Sequence, residues 1–182
     1  LDFTPAYNAT AFDAEALMCM DNYLFIFTKN WISETTTVYQ LDTSPGEHTA
    51  IPVGLFDTNG LVTGADYNEA MVVVLLCGYS TSLSAFAFVI YGFESAEWTG
   101  TQSMKFILPT PFGFGSQVEA VALDDNGRCL FSRESFATTV AGFELNYEAT
   151  MYSAMLSLEF AHMDEMHVAN SVTVVPNPND GF

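Results

Sequence analysis

The feature that most constrains this chain is an internal similarity between two of its segments. Residues 13–30, DAEALMCMDNYLFIFTKN, align without a gap on residues 117–134, QVEAVALDDNGRCLFSRE. A fainter copy at residues 62–79 keeps the apolar pattern but has Gly64 where the other two have glutamate. Copies spaced by about 50 residues indicate a repeat architecture, in which one supersecondary unit recurs along the chain.

Charged residues recur at matching places in the two stronger copies. Glu15 aligns with Glu119, and Lys29 aligns with Arg133. The whole chain has only four basic residues, so two at matching positions indicate a shared role. We predict a repeated structural ion pair, Lys29 with Glu15 and Arg133 with Glu119, which would neutralise partly buried carboxylates.

Each unit contains short runs that are rich in β-branched and aromatic residues and are separated by turn signals. In the first unit Asn59-Gly60 predicts a tight hairpin turn after the fourth strand. The predicted strands of the three units are Glu15–Met20, Tyr23–Thr28, Thr35–Leu41 and Thr49–Asp57; Leu61–Ala65, Ala70–Cys77, Ala85–Phe93 and Ser103–Leu108; and a strand from Gln117, Arg128–Arg133, Val140–Tyr147 and Met151–Phe160. An amphipathic helix over residues 151–167 is the alternative for the last of these.

Four short strands in about 50 residues make one blade of a β-propeller. The predicted fold is therefore all-β, a partial β-propeller of about three four-stranded blades over residues 13–168. Residues 1–12 are interpreted as a lead-in from an upstream part. Because propellers have about four to eight blades, we expect this chain to be a fragment of a larger propeller.

The charge balance restricts the partners. The chain has 22 acidic and four basic residues, a net charge of −18. Nucleic acids and anionic membrane surfaces would be repelled, whereas divalent cations and cationic partners are favoured. No apolar run is long enough to span a bilayer. All three cysteines lie in apolar runs and are expected to be buried free thiols.

Several segments together resemble a group of secreted β-propeller-like proteins from bacteria that use type IX secretion. The resemblance rests on LDFTPAYNATAFDAEAL, YLFIFTKNW, TTTVYQLDTSPGEHTAIPV, LVTGADYNEA and QVEAVAL, and it covers roughly residues 1–136. It implies a propeller fold and a secreted or cell-surface location. It implies no particular reaction.

The C-terminal residues carry a second resemblance. The segment SVTVVPNPNDGF, residues 171–182, is similar to the opening of a type IX secretion type A sorting domain. An apolar strand precedes the turn, and the residues that carry the likeness are Pro176, Asn177, Pro178, Gly181 and Phe182. The likeness implies that residues 169–182 are a linker and the start of a C-terminal sorting domain, which the type IX secretion machinery would recognise.

The carboxylates on the first strand of each unit are the candidate site residues. In a propeller the first strands line the central channel, so Asp13, Glu15, Asp66 and Glu119 would converge there. Calcium takes six to eight oxygen ligands, and these four would supply some of them. Three interpretations of this cluster stay open: structural ion pairing, an axial Ca²⁺ site and a catalytic role.

The aromatic residues allow two further readings. Trp31, Trp98, Tyr79, Tyr91 and Phe93 would either fill the core or form the floor of a carbohydrate-binding face. The sequence offers no convincing nucleophile or general base. The predicted function is therefore an exported, non-catalytic binding or surface-display module for an unidentified carbohydrate or protein ligand. The alternative is a calcium-dependent hydrolase of the phosphoesterase or lactonase type.

Overall fold

The described part of the chain is built from β-strands alone. The computed structural model describes residues 6, 8–93, 98, 100–108, 116–140, 142–156 and 173–176. Within these ranges fourteen strands form three four-stranded antiparallel sheets and one two-stranded sheet. Across the same ranges we find no helix of the length and apolarity that a membrane span requires. The predicted all-β class is confirmed.

The first sheet is a simple meander in which neighbours in sequence are neighbours in space. A two-residue turn at Asp21-Asn22 joins its first two strands, and Asp21 adopts a positive φ of 55°. The strands are β1 (Asp13–Met20), β2 (Tyr23–Lys29), β3 (Thr36–Asp42) and β4 (Ile51–Phe56).

The second sheet repeats this order and is buried on both faces. Every residue of its two central strands is buried, which explains why both read as continuous apolar runs. Its strands are β5 (Leu61–Asn68), β6 (Val73–Tyr79), β7 (Ala85–Tyr91) and β8 (Gln102–Ile107).

The link between these two sheets corrects one prediction. Asn59-Gly60 does not close a hairpin, because β4 pairs with β3 and β5 pairs with β6. The dipeptide instead carries the chain from one sheet to the next. A side chain at Gly60 would lie 2.5 Å from the ring of Phe86, so the close approach of that ring requires glycine.

The third sheet contains an insertion that the sequence pattern missed. A strand over Val140–Tyr147 is wrong: β11 (Phe136–Val140) and β12 (Phe143–Tyr147) form a separate two-stranded hairpin, with Gly142 in its turn at φ 84°. The sheet itself consists of β9 (Val118–Leu123), β10 (Arg128–Arg133), β13 (Thr150–Met155) and β14 (Thr173–Pro176).

The helical alternative at the end of the third unit is wrong where the structure describes it, because Thr150–Met155 is a strand. Residues 157–170 lie outside the described residues. Thr173–Pro176, in the segment that resembles a sorting domain, pairs with β13 as the edge strand of the third sheet.

The second sheet lies between the other two. Consecutive residues of β7 face opposite sides, so that Phe86, Phe88 and Ile90 pack towards the first sheet and Ala85, Ala87 and Val89 towards the third. The first strands are also neighbours: β1 packs against β5, and β5 against β9. The two layers of buried side chains are called the first core and the second core below.

The cysteines differ in their environments. Cys77 and Cys129 are free thiols in the second core, and burial raises the pKa of each to about 12. The prediction is wrong for Cys19, which is exposed on β1. Cys19 follows the alternation of β1, in which Met18 and Met20 are buried on the opposite face.

Each first strand carries a β-bulge near its beginning. The register against the second strand of the sheet skips Glu15 in β1, Thr63 in β5 and Glu119 in β9. A bulge adds one unpaired residue, bends the strand and redirects the side chain at that point. The two candidate glutamates are therefore both bulge residues.

Candidate functional site

A groove opens at the end of the molecule where the first strands begin. It has a volume of about 660 Å³, and all three four-stranded sheets contribute to it. The bulge residues of the first and third sheets lie in its wall. Its lining residues are Asn8, Asp13, Glu15, Lys29, Trp31, Tyr79, Gln117, Glu119, Glu134 and Phe136. We refer to it as the end groove.

A buried lysine holds one carboxylate of the end groove. Lys29 Nζ donates to Glu15 Oε2 over 2.8 Å, and the lysine side chain is 6% exposed against 34% for the glutamate. Burial lowers the pKa of Lys29, but its interactions with Glu15 and Tyr79 outweigh that effect and the pKa lies above its usual value. The expected contact between Lys29 and Glu15 is therefore present.

Aromatic rings complete the surroundings of this ammonium group. Lys29 Nζ lies 4.9 Å from the ring centre of Trp31 and 5.1 Å from that of Tyr79, within the range of cation–π attraction. Trp31 is fixed in turn by its indole nitrogen, which donates to Asp13 Oδ2 over 3.1 Å. Asp13, Glu15, Lys29, Trp31 and Tyr79 thus form one connected cluster.

Glu119 faces this cluster from the third sheet. Burial raises its pKa to about 7; the positive charge of Lys29 opposes this shift, and the negative charges of Glu15 and Glu134 add to it. Among the described residues Glu119 has no ion-pair partner within 4.0 Å. Glu119 is thus a carboxylate whose charge changes near neutral pH and which no cation of the described residues pairs with.

Arg133 does not pair with Glu119, which corrects the second predicted ion pair. Its guanidinium donates to the Glu148 carbonyl at 3.2 Å, to Ser116 Oγ at 3.3 Å and to Thr150 Oγ1 at 3.4 Å. It also lies over the rings of Tyr147 and Tyr152. This cation joins the third sheet to the inserted hairpin.

The strand register explains why the two cations differ. Lys29 lies opposite Asp13, whereas Arg133 lies opposite Val118. Counted from the bulge, the turn between β9 and β10 is one residue longer than the turn between β1 and β2. The ungapped alignment of the two segments is therefore out of register by one residue in their second strands. A slip of one residue moves a side chain to the other face of a strand, and Lys29 and Arg133 are consequently not equivalent.

Gly64 also needs a correction. The bulge residue of the second sheet is Thr63, so Thr63 and not Gly64 occupies the place of the glutamates. A side chain at Gly64 would lie 2.9 Å from Cys77 Sγ and 3.0 Å from Ala120 Cα. Gly64 is therefore where β9 passes closest to β5, and Thr63 Oγ1 donates to the Val118 carbonyl at the same crossing.

Asp66 lies away from the end groove and is not among its lining residues. Its Oδ2 accepts from the Leu123 amide over 2.7 Å, and its Oδ1 accepts from the Tyr67 amide over 2.9 Å. Nearby, Asn68 donates to Asp125 over 3.1 Å. Asp66 therefore ties the second sheet to the third, and the structure does not bring it together with Asp13, Glu15 and Glu119.

The predicted calcium site is not assembled in the described part of the chain. Within it, no group of three or more His, Cys, Asp and Glu side chains is arranged to hold a metal ion. Asp13, Glu15 and Glu119 share the end groove, but Trp31 and Lys29 occupy oxygens of the first two. The hypothesis of an axial Ca²⁺ stays a prediction for experiment.

The two tryptophans have different places. Trp98 is 6% exposed and lies edge-on to Phe25, Phe27 and Phe56 in the first core. Trp31 lines the end groove instead.

Most of the proposed sorting residues lie outside the described residues, namely Asn177, Pro178, Gly181 and Phe182. Pro176 ends β14.

Sequence reasoning did not predict four lining residues of the end groove, namely Asn8, Gln117, Glu134 and Phe136, and it did not identify Trp31 and Tyr79 as partners of Lys29. Trp31 follows Lys29 by two positions, but β2 ends at Lys29 and Trp31 lies in the turn that follows, so strand alternation alone does not place the two side chains together. Comparison with protein-family models, with curated proteins and with solved structures finds no match.

Proposed function

We propose that this chain is part of an exported β-propeller that acts as a non-catalytic binding module, with the end groove as its binding site. The three four-stranded sheets would be consecutive blades, and β1, β5 and β9 their inner strands. A shared bulge at Glu15, Thr63 and Glu119, together with the packing of each first strand against the next, supports this arrangement.

The observation that carries the binding proposal is the charge of the end groove. Four carboxylates line it, those of Asp13, Glu15, Glu119 and Glu134, against the single cation Lys29. Glu15 already neutralises Lys29, and Glu119 has no ion-pair partner among the described residues. A ligand that brings a positive charge to Glu119 would recover the electrostatic energy that burial costs this carboxylate.

We assign to the end groove a cationic group presented by another protein, such as a lysine or arginine side chain. The aromatic edge at Phe136 and the ring of Trp31 would contact the aliphatic stem of such a side chain. Export rests on the C-terminal likeness to a sorting domain and on the resemblance to secreted propeller-like proteins. Both would place the groove at a cell surface or in the medium.

Thermal melting with three separate probes tests this function, because a ligand that binds the native state raises the melting temperature. The probes are a short lysine-containing peptide, a neutral oligosaccharide and Ca²⁺. We expect the peptide to raise the melting temperature of the wild type and to have a smaller effect on Glu119→Gln. The variant Glu144→Gln, at an exposed site on β12, is the matched control for loss of one charge.

Each of the other outcomes points elsewhere. A shift with Ca²⁺ alone that Glu119→Gln abolishes would favour the calcium-dependent hydrolase and contradict the cationic ligand. A shift with the oligosaccharide alone would favour a carbohydrate ligand. If the peptide raised the melting temperature equally in wild type, Glu119→Gln and Glu144→Gln, its binding would reflect only the general attraction of a cation to a chain of net charge −18.

A further inference from the structure

A row of aromatic rings with one guanidinium group between them leads from the third sheet to the wall of the end groove. Arg133 Cζ lies 5.4 Å from the ring centre of Tyr152 and 5.7 Å from that of Tyr147, within the range of cation–π attraction. The ring of Tyr147 stacks on that of Phe136, with the ring centres 6.4 Å apart and the planes 26° from parallel. We refer to Tyr152, Arg133, Tyr147 and Phe136 as the aromatic row.

The hairpin register places the last ring of the aromatic row at the groove. Phe136 begins β11 directly opposite Tyr147 on β12, and residues paired across two antiparallel strands point to the same face. Phe136 is half-buried and lines the end groove. Because Tyr147 covers one side of this ring, the ring surface that remains free borders the groove. The aromatic row therefore ends at an open ring surface inside the proposed binding site.

Two carboxylates line the groove together with this ring. Glu134 precedes Phe136 by two positions, and Glu119 is the bulge residue of β9. Both line the end groove, and neither forms an ion pair within 4.0 Å with another residue of the described ranges. A ligand cation in this part of the groove would meet a free ring surface and two unpaired carboxylates.

The other aromatic rings of the groove already hold a cation. Lys29 Nζ lies over the rings of Trp31 and Tyr79, and Glu15 neutralises it. In the part of the chain that the structure describes, no cation lies over the ring of Phe136. Phe136 is therefore the lining ring that is left for the cation of a ligand.

Resting on the proposed function, we infer that the end groove selects arginine over lysine, because a guanidinium group of the partner protein stacks on Phe136 and donates to Glu119 and Glu134. A guanidinium group is planar, stacks on aromatic rings and carries five donors in a fixed fork, whereas an ammonium group is a compact and strongly hydrated charge. The planar cation is thus the better match for a flat ring and two carboxylates. Arg133 shows the same association of a guanidinium group with rings inside the aromatic row.

A calorimetric titration of the chain with three capped pentapeptides tests this preference at pH 8, where Glu119 is mostly ionised. The peptides are identical except for a central arginine, lysine or citrulline, the last being the neutral isostere of arginine. We expect the arginine peptide to bind about tenfold more tightly than the lysine peptide, because ring stacking and a second hydrogen bond add to the charge interaction. The citrulline peptide should bind more weakly than both.

Substitutions at the ring separate stacking from charge. Phe136→Leu keeps an apolar side chain without the ring, and we expect it to bind the arginine and lysine peptides with equal affinity. Phe136→Tyr keeps the ring and should retain the preference for arginine. Phe143→Leu is the matched control, because Phe143 is 74% exposed on β12 and is not a lining residue of the groove. This control should leave both affinities unchanged.

Circular dichroism must show a native fold for each variant. Where Phe136→Leu fails to fold, Glu134→Gln replaces it, since Glu134 is exposed and its loss should narrow the preference for arginine. Equal affinities for arginine and lysine in the wild type, tighter binding of lysine, or a preference that the replacing variant leaves unchanged overturns the inference but leaves the proposed function standing. If neither charged peptide binds saturably, or citrulline binds as tightly as arginine, the proposed function itself is contradicted.

Discussion

Lys29 Nζ lies 2.8 Å from Glu15 Oε2, and this ion pair joins the end of β2 to the bulge of β1. The ammonium group is almost fully removed from solvent, so its charge depends on the glutamate and on the rings of Trp31 and Tyr79. The arrangement explains how a chain with very few cations keeps several carboxylates close together at one end.

Replacing the glutamate of this pair should destabilise the protein. Glu15→Gln leaves a buried ammonium group without its counter-charge, and we expect the free energy of unfolding to fall by about 2 kcal/mol. Chemical denaturation at pH 7 measures the change. Glu144→Gln, which removes an exposed carboxylate, should cost under about 0.5 kcal/mol. Equal losses in the two variants would mean that the pair contributes nothing specific.

The raised pKa of Glu119 predicts a pH-dependent stability. Because its pKa is about 7 when folded and 4.5 is its ordinary value, the folded protein binds this proton more tightly than the unfolded chain. Ionised Glu119 therefore destabilises the fold above pH 7, and this cost is relieved progressively as the pH falls from 7 towards 4.5. Glu119→Gln should be more stable than wild type at pH 8 and show no such gain near pH 5.

Melting temperatures of both proteins across this pH range check the prediction. The quantity of interest is the difference in melting temperature between Glu119→Gln and wild type, because the titration of the other carboxylates affects both proteins equally. A difference that is independent of pH would contradict a pKa raised by burial. A stability advantage of the variant that grows towards acid pH would mean that the pKa of Glu119 is lowered in the folded protein rather than raised.

A side chain at Gly64 should destabilise the protein. Gly64→Ala would place a methyl group 2.9 Å from Cys77 Sγ and 3.0 Å from Ala120 Cα, and the backbone of β9 must then move. We expect a loss of about 1–3 kcal/mol in the free energy of unfolding. Gly54→Ala is the matched control, because its nearest contact would be an ordinary 3.4 Å from Val38 Cγ2. Similar costs for both variants would mean that β5 and β9 do not approach this closely.

Asp66 should behave as a structural residue. Asp66→Ala removes the acceptor of the Leu123 amide, and the loss of a charged acceptor from a partly buried amide costs about 1–3 kcal/mol. The substitution should leave any effect of Ca²⁺ on the melting temperature unchanged. If Asp66→Ala were to abolish a calcium-dependent shift, the residue would be a metal ligand after all.

The sequence predicted much of the fold because its strongest signals were local. The alternation of β1, the Asp21-Asn22 turn and the apolar runs of β6 and β7 identify strands without knowledge of the rest of the chain. The inserted hairpin was missed because the strand predicted over Val140–Tyr147 runs straight through Gly142. Gly142 was the available signal for its turn, since glycine adopts positive φ at little cost.

The candidate site was predicted only in part, for a different reason. Glu15 and Glu119 meet in one groove as expected, but side-chain partners depend on register, and a single extra residue in a turn reverses a face. That slip gave Arg133 a partner it does not have, whereas Gly64 took the place of Thr63 because the fainter copy was aligned one residue out of register on β5. Asp66 was misplaced because it points from the second sheet to the third rather than into the groove.

The most direct test of the account is a calorimetric titration of the wild-type chain with a lysine-containing peptide at pH 6 and at pH 8. Glu119 is mostly protonated at the lower pH and mostly ionised at the higher one. We predict saturable binding that is about tenfold tighter at pH 8, and loss of this pH dependence in Glu119→Gln. No saturable binding, or the same affinity and pH response in wild type and Glu119→Gln, would contradict a ligand site at the end groove.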